Sequence, residues 1–189
     1  MTEPIFGGSR LRQVVYSVAM SLDGYIAGPQ GEADWIVMDP DLDFDAIFSR
    51  FDVVLLGRKT YEMTKTAQGS SMPGVDSYVF SRTLRQADCP GVTVSADPRQ
   101  TITDLKKQSG KDIWLFGGGN LFRSLLELEL VDRVSVAVIP VLLGRGLRLL
   151  PDSPKRAGLQ LVEHRVYPKT GTISAEYAVV QKPAKTKRR

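Results

Sequence analysis

Apolar and polar residues follow two different periods along this chain. Val14 to Met20 (VVYSVAM) is almost unbroken in apolar character and rich in β-branched residues, which predicts a buried strand. Ser21 to Trp35 holds three glycines, a proline and two aspartates, the composition of a long loop. From Asp41 the run LDFDAIFSRF sets Leu42, Ile47, Phe48 and Phe51 roughly on one face behind acidic residues. That pattern predicts a helix whose N-terminus is favoured by the dipole. Val53 to Leu56 is a short apolar strand closed by Gly57, and Arg58 to Glu62 opens the next helix.

The same alternation continues. Strands are predicted at Ser77–Phe80, Val92–Val94, Ile113–Phe116 and Val131–Ile139, with helices at Thr101–Gln108 and Leu121–Leu128. After Pro140 the helical period stops. Leu159–Val166 and Thr172–Val180 form an expected antiparallel pair joined through Pro168-Lys169-Thr170-Gly171. Strand–helix alternation followed by a hairpin implies an α/β fold, with a largely parallel sheet finished by antiparallel strands.

The chain has 189 residues, 42% hydrophobic and 24% charged, which favours one soluble globular domain. No apolar run approaches the roughly 20 residues of a membrane helix. The N-terminus lacks the pattern of a signal peptide, so a cytoplasmic location is expected. Cys89 and His164 are the only residues of their kinds, which excludes an internal disulfide, a thiolate or histidine-rich metal site and a histidine-dependent triad. His164 lies in an alternating stretch and is expected to face solvent. The net charge of +4 is carried by the end of the chain. Residues 182–189 hold five basic groups and no acid; without them 20 basic residues face 21 acidic ones, a net of −1. That segment reads as a basic disordered tail. It supports an alternative reading as a nucleic-acid-binding or non-catalytic nucleotide-binding protein, although no motif or aromatic-interleaved basic stripe accompanies it.

Three predicted strands end in polar or glycine-containing turns: Gly57-Arg58-Lys59-Thr60, Ser81-Arg82-Thr83 and Gly117-Gly118-Gly119-Asn120. In an open α/β sheet, ligands bind at the carboxyl ends of the strands. Two of these turns run into helices, whose free N–H groups suit phosphate. Arg58 and Arg82 can each make paired hydrogen bonds to a phosphate. Together the turns would surround an elongated, multiply phosphorylated ligand. The dinucleotide fingerprint G-x-G-x-x-G does not follow the first strand, and the phosphate loop G-x-x-x-x-G-K-[ST] is absent.

SLDGYIAG at 21–28, GRKTYE at 57–62, GGGNL at 117–121 and PVLLGRG at 140–146, in this order and spacing, resemble the dihydrofolate reductase-like superfamily. The resemblance is closest to the reductase domain of the bifunctional riboflavin-pathway deaminase-reductase and its stand-alone relatives. It implies a three-layer α/β/α fold with about eight strands over residues 12–181, after an extension at 1–11. It also implies a homodimer and a bound NADPH. Gly57, Arg58, Lys59 and Thr60 match the turn beside the pyrophosphate and adenosine 2′-phosphate. Ser81 and Arg82 match a second adenosine-side turn. Gly117, Gly118 and Gly119 match a glycine turn against the pyrophosphate, with a cis peptide between the first two, and Asn120 and Leu121 add N–H contacts. Ala19 and Ile26 match positions lining the nicotinamide.

Asp23 lies in the loop that covers that ring, on the substrate side. Trp35 matches an aromatic near the substrate, with a core anchor as its other reading. The family's proton-donating carboxylate falls on Asp41; a one-residue gap would shift the choice among Asp39, Asp41, Asp43 and Asp45, and a plain acidic helix N-terminus is the alternative. Arg145 and Arg148 are the nearest basic candidates for a substrate phosphate. The implied activity is NADPH-dependent reduction of a ribosylamino-pyrimidine or another small heterocycle, with dihydrofolate or pterin reduction as the alternative. No metal is implied.

Overall fold

The computed structural model describes residues 11–68, 74–153 and 155–180. The expected basic tail and residues 1–10 of the expected extension lie outside them.

In chain order the elements are β1 (Val14–Ser21), β2 (Tyr25–Ala27), α1 (Phe44–Phe48), β3 (Phe51–Gly57), α2 (Arg58–Gln68), β4 (Asp76–Phe80), β5 (Thr93–Ser95), α3 (Pro98–Lys107), β6 (Asp112–Gly117), α4 (Gly119–Glu127), β7 (Arg133–Ile139), β8 (Leu147–Arg148), β9 (Gly158–Tyr167) and β10 (Thr172–Val180). Eight strands form one sheet in the order β5-β4-β3-β6-β1-β7-β10-β9. The first six neighbours run parallel; β10 is antiparallel to both β7 and β9. This is the expected three-layer α/β fold with its C-terminal hairpin.

Alternation along the strands divides the core. Val14, Tyr16, Val53, Leu55, Ile113, Leu115, Val134 and Val136 pack with α3 and α4 on one face. Val15, Val54, Leu56 and Trp114 pack with Tyr61 of α2 on the other. Val14, Val15, Leu55, Ile113 and Leu115 have no exposed surface. Burying each such side chain contributes about 1.5–3 kcal/mol, so the central strands form where the apolar runs are longest.

Several boundaries differ from the expected ones for local reasons. The helix expected from Asp41 is only the five residues of α1. Asp43 caps it, its carboxylate accepting from the Ala46 N–H at 2.9 Å, so Asp41 lies before the helix. Helix α3 starts three residues earlier than Thr101. Asp97 caps it and Pro98 fills a first-turn position where no N–H is required. The loop expected at 21–35 contains β2, which pairs with β8. Strands of three and two residues are too short to show a period.

Candidate functional site

Register alignment brings the expected turns to one edge. Gly57 pairs with Phe80, and Leu56 with Gly117, so β4, β3 and β6 end side by side, with β1 next to β6. Helices α2 and α4 both start at this edge. A methyl group on Gly118 would sit 3.6 Å from Thr60 Oγ1, and one on Gly57 would sit 3.6 Å from both Gly117 O and Leu121 Cβ. The first N–H groups of a helix have no intrahelical acceptor. No side chain caps α4, and neither helix has an acid in its first turn. Helix α2 instead begins with Arg58 and Lys59, where the dipole disfavours cations. Arg58 Nη1 donates to both oxygens of Glu62, at 3.0 and 3.2 Å. Lys59 has no ion-pair partner among the described residues, nor does Arg82, which follows the end of β4. Ser81 Oγ accepts from the N–H groups of Thr83 and Leu84, at 3.1 and 3.0 Å, and fixes that turn. The result is an electropositive hollow floored by backbone, suited to an anion.

The three consecutive glycines have three different surroundings. Gly117 has φ +119°, which side chains rarely adopt, and a methyl there would face the buried Tyr16 ring at 3.5 Å. The Gly117–Gly118 bond is cis. At Gly118 a methyl would meet only Thr60 Oγ1 at 3.6 Å and Ile26 Cδ1 at 4.0 Å, ordinary contacts. Nothing in the fold demands glycine there. At Gly119 a methyl would lie 2.5 Å from the Arg148 carbonyl oxygen and 3.1 Å from that of Leu149. At Gly119 the protein's own chain therefore gives the fold a reason for glycine.

Two motifs 120 residues apart in sequence form one flap over this edge. Beside the β2–β8 pairing, Leu22 N–H donates to Val141 O and Leu149 N–H to Gly24 O, both at 2.9 Å. Asp23 accepts from Ser21 Oγ at 2.7 Å, Leu143 N–H at 3.1 Å and Gly144 N–H at 2.7 Å. Asp23 is thus a clasp within the flap. The Ser21 hydroxyl bond first, then the two backbone donors, outweigh partial desolvation and hold its carboxyl below the usual range. A depressed carboxyl stabilises the fold above its unfolded value and loses that contribution as pH falls through the folded one. We predict that Asp23→Asn lowers the melting temperature at pH 7. The gap from wild type should be full above about pH 4 and narrow as pH falls further, as seen in melts across pH 3–7. A gap constant across that range would rule out the clasp.

On the α1/α2 face, β1, β7 and β10 carry small residues in register. Ser17 pairs with Ser135, which pairs with Glu176; Ala19 pairs with Ala137, which pairs with Ser174. Ser17, Ala19, Ser135, Ala137 and Ser174 are all half-buried. None of the three hydroxyls has a partner among the described residues. Phe48 of α1 reaches Trp114 at 5.3 Å between ring centroids. These small side chains make a partly polar floor on that face of the sheet. At its far end Glu176 is buried between Arg50 and Arg133; burial raises its carboxyl, and the two guanidiniums more than reverse this.

The family described as the RibD C-terminal domain matches residues 12–172. The chain belongs to the RibD C-terminal domain family. A relative from Bacillus subtilis (strain 168), the uncharacterized protein YyaP, is 33% identical over 178 residues, covering 88% of this chain and 94% of its own. A Shewanella sp. PV-4 structure, provisionally named a riboflavin biosynthesis protein, superposes with a TM-score of 0.77 at 23% identity, covering 89% of this chain and 99% of that one. Dihydrofolate reductase from Enterococcus faecalis, complexed with NADP(H) and RAB-propyl, superposes with a TM-score of 0.65 at 18% identity, covering 89% of this chain and 97% of that one. This RibD-type chain therefore has the dihydrofolate reductase-like fold. Among the described residues, no helix is long and apolar enough to cross a membrane, and no three His, Cys, Asp or Glu residues are grouped to hold a metal.

Within this RibD-type fold, Ile26 and Thr60 lie beside Gly118, and Gly117 and Leu121 beside Gly57, while Arg58, Lys59, Ser81, Arg82 and Asn120 follow the same strand ends in sequence. Ala19 belongs to the small-residue floor. Asp41 is not brought to either. Its carboxylate accepts from Lys169 Nζ at 2.8 Å, beside the β9–β10 turn. Asp39, another of the four aspartates weighed for that role, is buried there and accepts from Asp41 N–H, Thr170 N–H and Thr170 Oγ1. Trp35 donates from Nε1 to Glu32 O at 3.3 Å and lines an open cleft of about 490 Å³ with Leu143 and Arg145. Arg148 instead pairs loosely with Asp152, at 3.5 Å. The floor serines were missed in the sequence. Their signal was small polar residues every second position within apolar strands.

Proposed function

We propose that the protein is an NADPH-dependent reductase of small heterocycles, of the 5-amino-6-(5-phosphoribosylamino)uracil reductase type. The observation that carries this reading is what meets at one sheet edge: the starts of α2 and α4, the latter with no side-chain cap, and Lys59 and Arg82, which have no ion-pair partner among the described residues, beside a floor of small polar side chains. The fit to NADPH is chemical. Backbone N–H groups of Arg58–Thr60, Gly119 and Asn120 would hold its pyrophosphate, the Leu121 N–H already donating to Gly118 O at 2.9 Å, and Arg82 with Lys59 would hold its adenosine 2′-phosphate. When bound, NADPH supplies a hydride. Ala19 and Ile26 would bound the nicotinamide, and the flap would limit water.

Ser17, Ser135 and Ser174 would orient a flat polar ring, since each hydroxyl can donate and accept. Asp41 is proposed as the acid by its place in the family's order; to act it must leave Lys169. Trp35 would wall the outer cleft, where Arg145 would meet an anionic substituent. Asp23 would serve the site through the flap alone.

Steady-state assays with NADPH and each candidate substrate test the reading. Turnover of the ribosylamino-uracil phosphate supports it, and turnover of dihydrofolate alone overturns the substrate assignment. We predict that Arg82→Ala weakens NADPH binding about tenfold with little change for NADH, the cost of one charge-assisted contact. Equal losses for both nucleotides would move Arg82 away from the 2′-phosphate.

We also propose a homodimer. Leu159, Leu161 and Val166 on the edge strand β9, with Ile173 of β10, expose apolar side chains that a second copy would cover. Sedimentation velocity should give twice the 20.8 kDa chain mass; a monomer at micromolar concentration would contradict this.

A further inference from the structure

We propose that Glu62 sets how strongly the site discriminates NADPH from NADH, by competing with the adenosine 2′-phosphate for Arg58. The inference rests on the NADPH reading of the hollow. Arg58 is the first residue of α2 and stands at the rim, yet Nη1 donates to both Glu62 oxygens one turn further along the helix. The bond holds the guanidinium along the helix toward Glu62, while Lys59 and Arg82 have no ion-pair partner among the described residues.

A cation followed four residues later by an acid is the reverse of the order that a helix dipole favours. Helix stability therefore gives little reason for the pair. Both side chains are nearly half exposed, 44% for Arg58 and 46% for Glu62, so the bond opens at small cost. A phosphate with nearly two negative charges and three acceptor oxygens is the stronger partner for a guanidinium. NADH lacks that group and leaves the Arg58–Glu62 bond in place. Removing the competing carboxylate should therefore benefit NADPH alone.

Nicotinamide-fluorescence titrations of wild type, Glu62→Gln, Arg58→Gln and the double variant, with NADPH and NADH at fixed ionic strength, test this. Glu62→Gln should tighten NADPH binding about threefold, the scale of an exposed ion pair, with NADH unchanged. In the Arg58→Gln background the gain should vanish. An unchanged NADPH-to-NADH ratio in Glu62→Gln overturns the inference. So does an equal gain without Arg58, which would assign the effect to the carboxylate's charge alone. Both results leave the NADPH reading standing. If folded wild type binds neither nucleotide, the reading itself fails and the inference falls with it.

Discussion

Gly118→Ala is expected to reduce NADPH affinity about 10- to 100-fold while leaving the melting temperature almost unchanged. The added methyl meets only Thr60 Oγ1 at 3.6 Å and Ile26 Cδ1 at 4.0 Å, so the ligand-free protein accommodates it. Gly118 has φ −84° and ψ −165°, extended backbone that alanine adopts freely. The same methyl projects into the space between the starts of α2 and α4, where the proposed pyrophosphate comes closest. Overfilling a well-matched contact costs about 1–3 kcal/mol, and each 1.4 kcal/mol is tenfold in affinity. Calorimetric titration paired with a thermal melt separates the two effects. Unchanged affinity would remove Gly118 from the ligand surface, and a large drop in melting temperature would show that the fold itself needs glycine there.

One residue further on, the same substitution should act on stability. Gly119→Ala places its methyl 2.5 Å from the Arg148 carbonyl oxygen, 3.0 Å from Pro151 Cδ and 3.1 Å from the Leu149 carbonyl oxygen. Two of those neighbours are backbone and cannot rotate away. Either the 148–151 segment lifts from the start of α4 or the helix shifts, a cost of about 1–3 kcal/mol. Denaturant unfolding should show a lower midpoint for Gly119→Ala and none for Gly118→Ala. Equal midpoints would contradict the close packing of the flap on α4. Gly146 is a second such point, because its methyl would strike the Ala27 carbonyl and its φ is +153°.

This contrast shows where sequence was informative. Val53–Leu56 and Ile113–Phe116 were legible as strands because unbroken apolar runs bounded by glycine have few other solutions in a domain of this size. The position of the hollow followed, since strand ends and helix starts are fixed together. The separate duties of Gly117, Gly118 and Gly119 were hidden. They depend on a backbone φ and on what packs nearby, and Arg148 reaches Gly119 from 29 residues away. The duty of Asp23 was hidden for the same reason, because its partners Leu143 and Gly144 lie 120 residues on. Strand β8 could not be read because two residues carry no period; its partner β2 holds it. Ser17 was concealed inside a run that looked uniformly buried, and only the register with Ser135 shows a polar floor.

The central claim is that the hollow between α2 and α4 receives the pyrophosphate of NADPH. Isothermal titration of the purified protein with NADPH tests it most directly. The predicted result is saturable binding of one NADPH per chain, with a dissociation constant between about 1 μM and 1 mM, the span of ordinary enzyme–ligand affinities. No saturable binding by folded protein up to about 1 mM NADPH would contradict it.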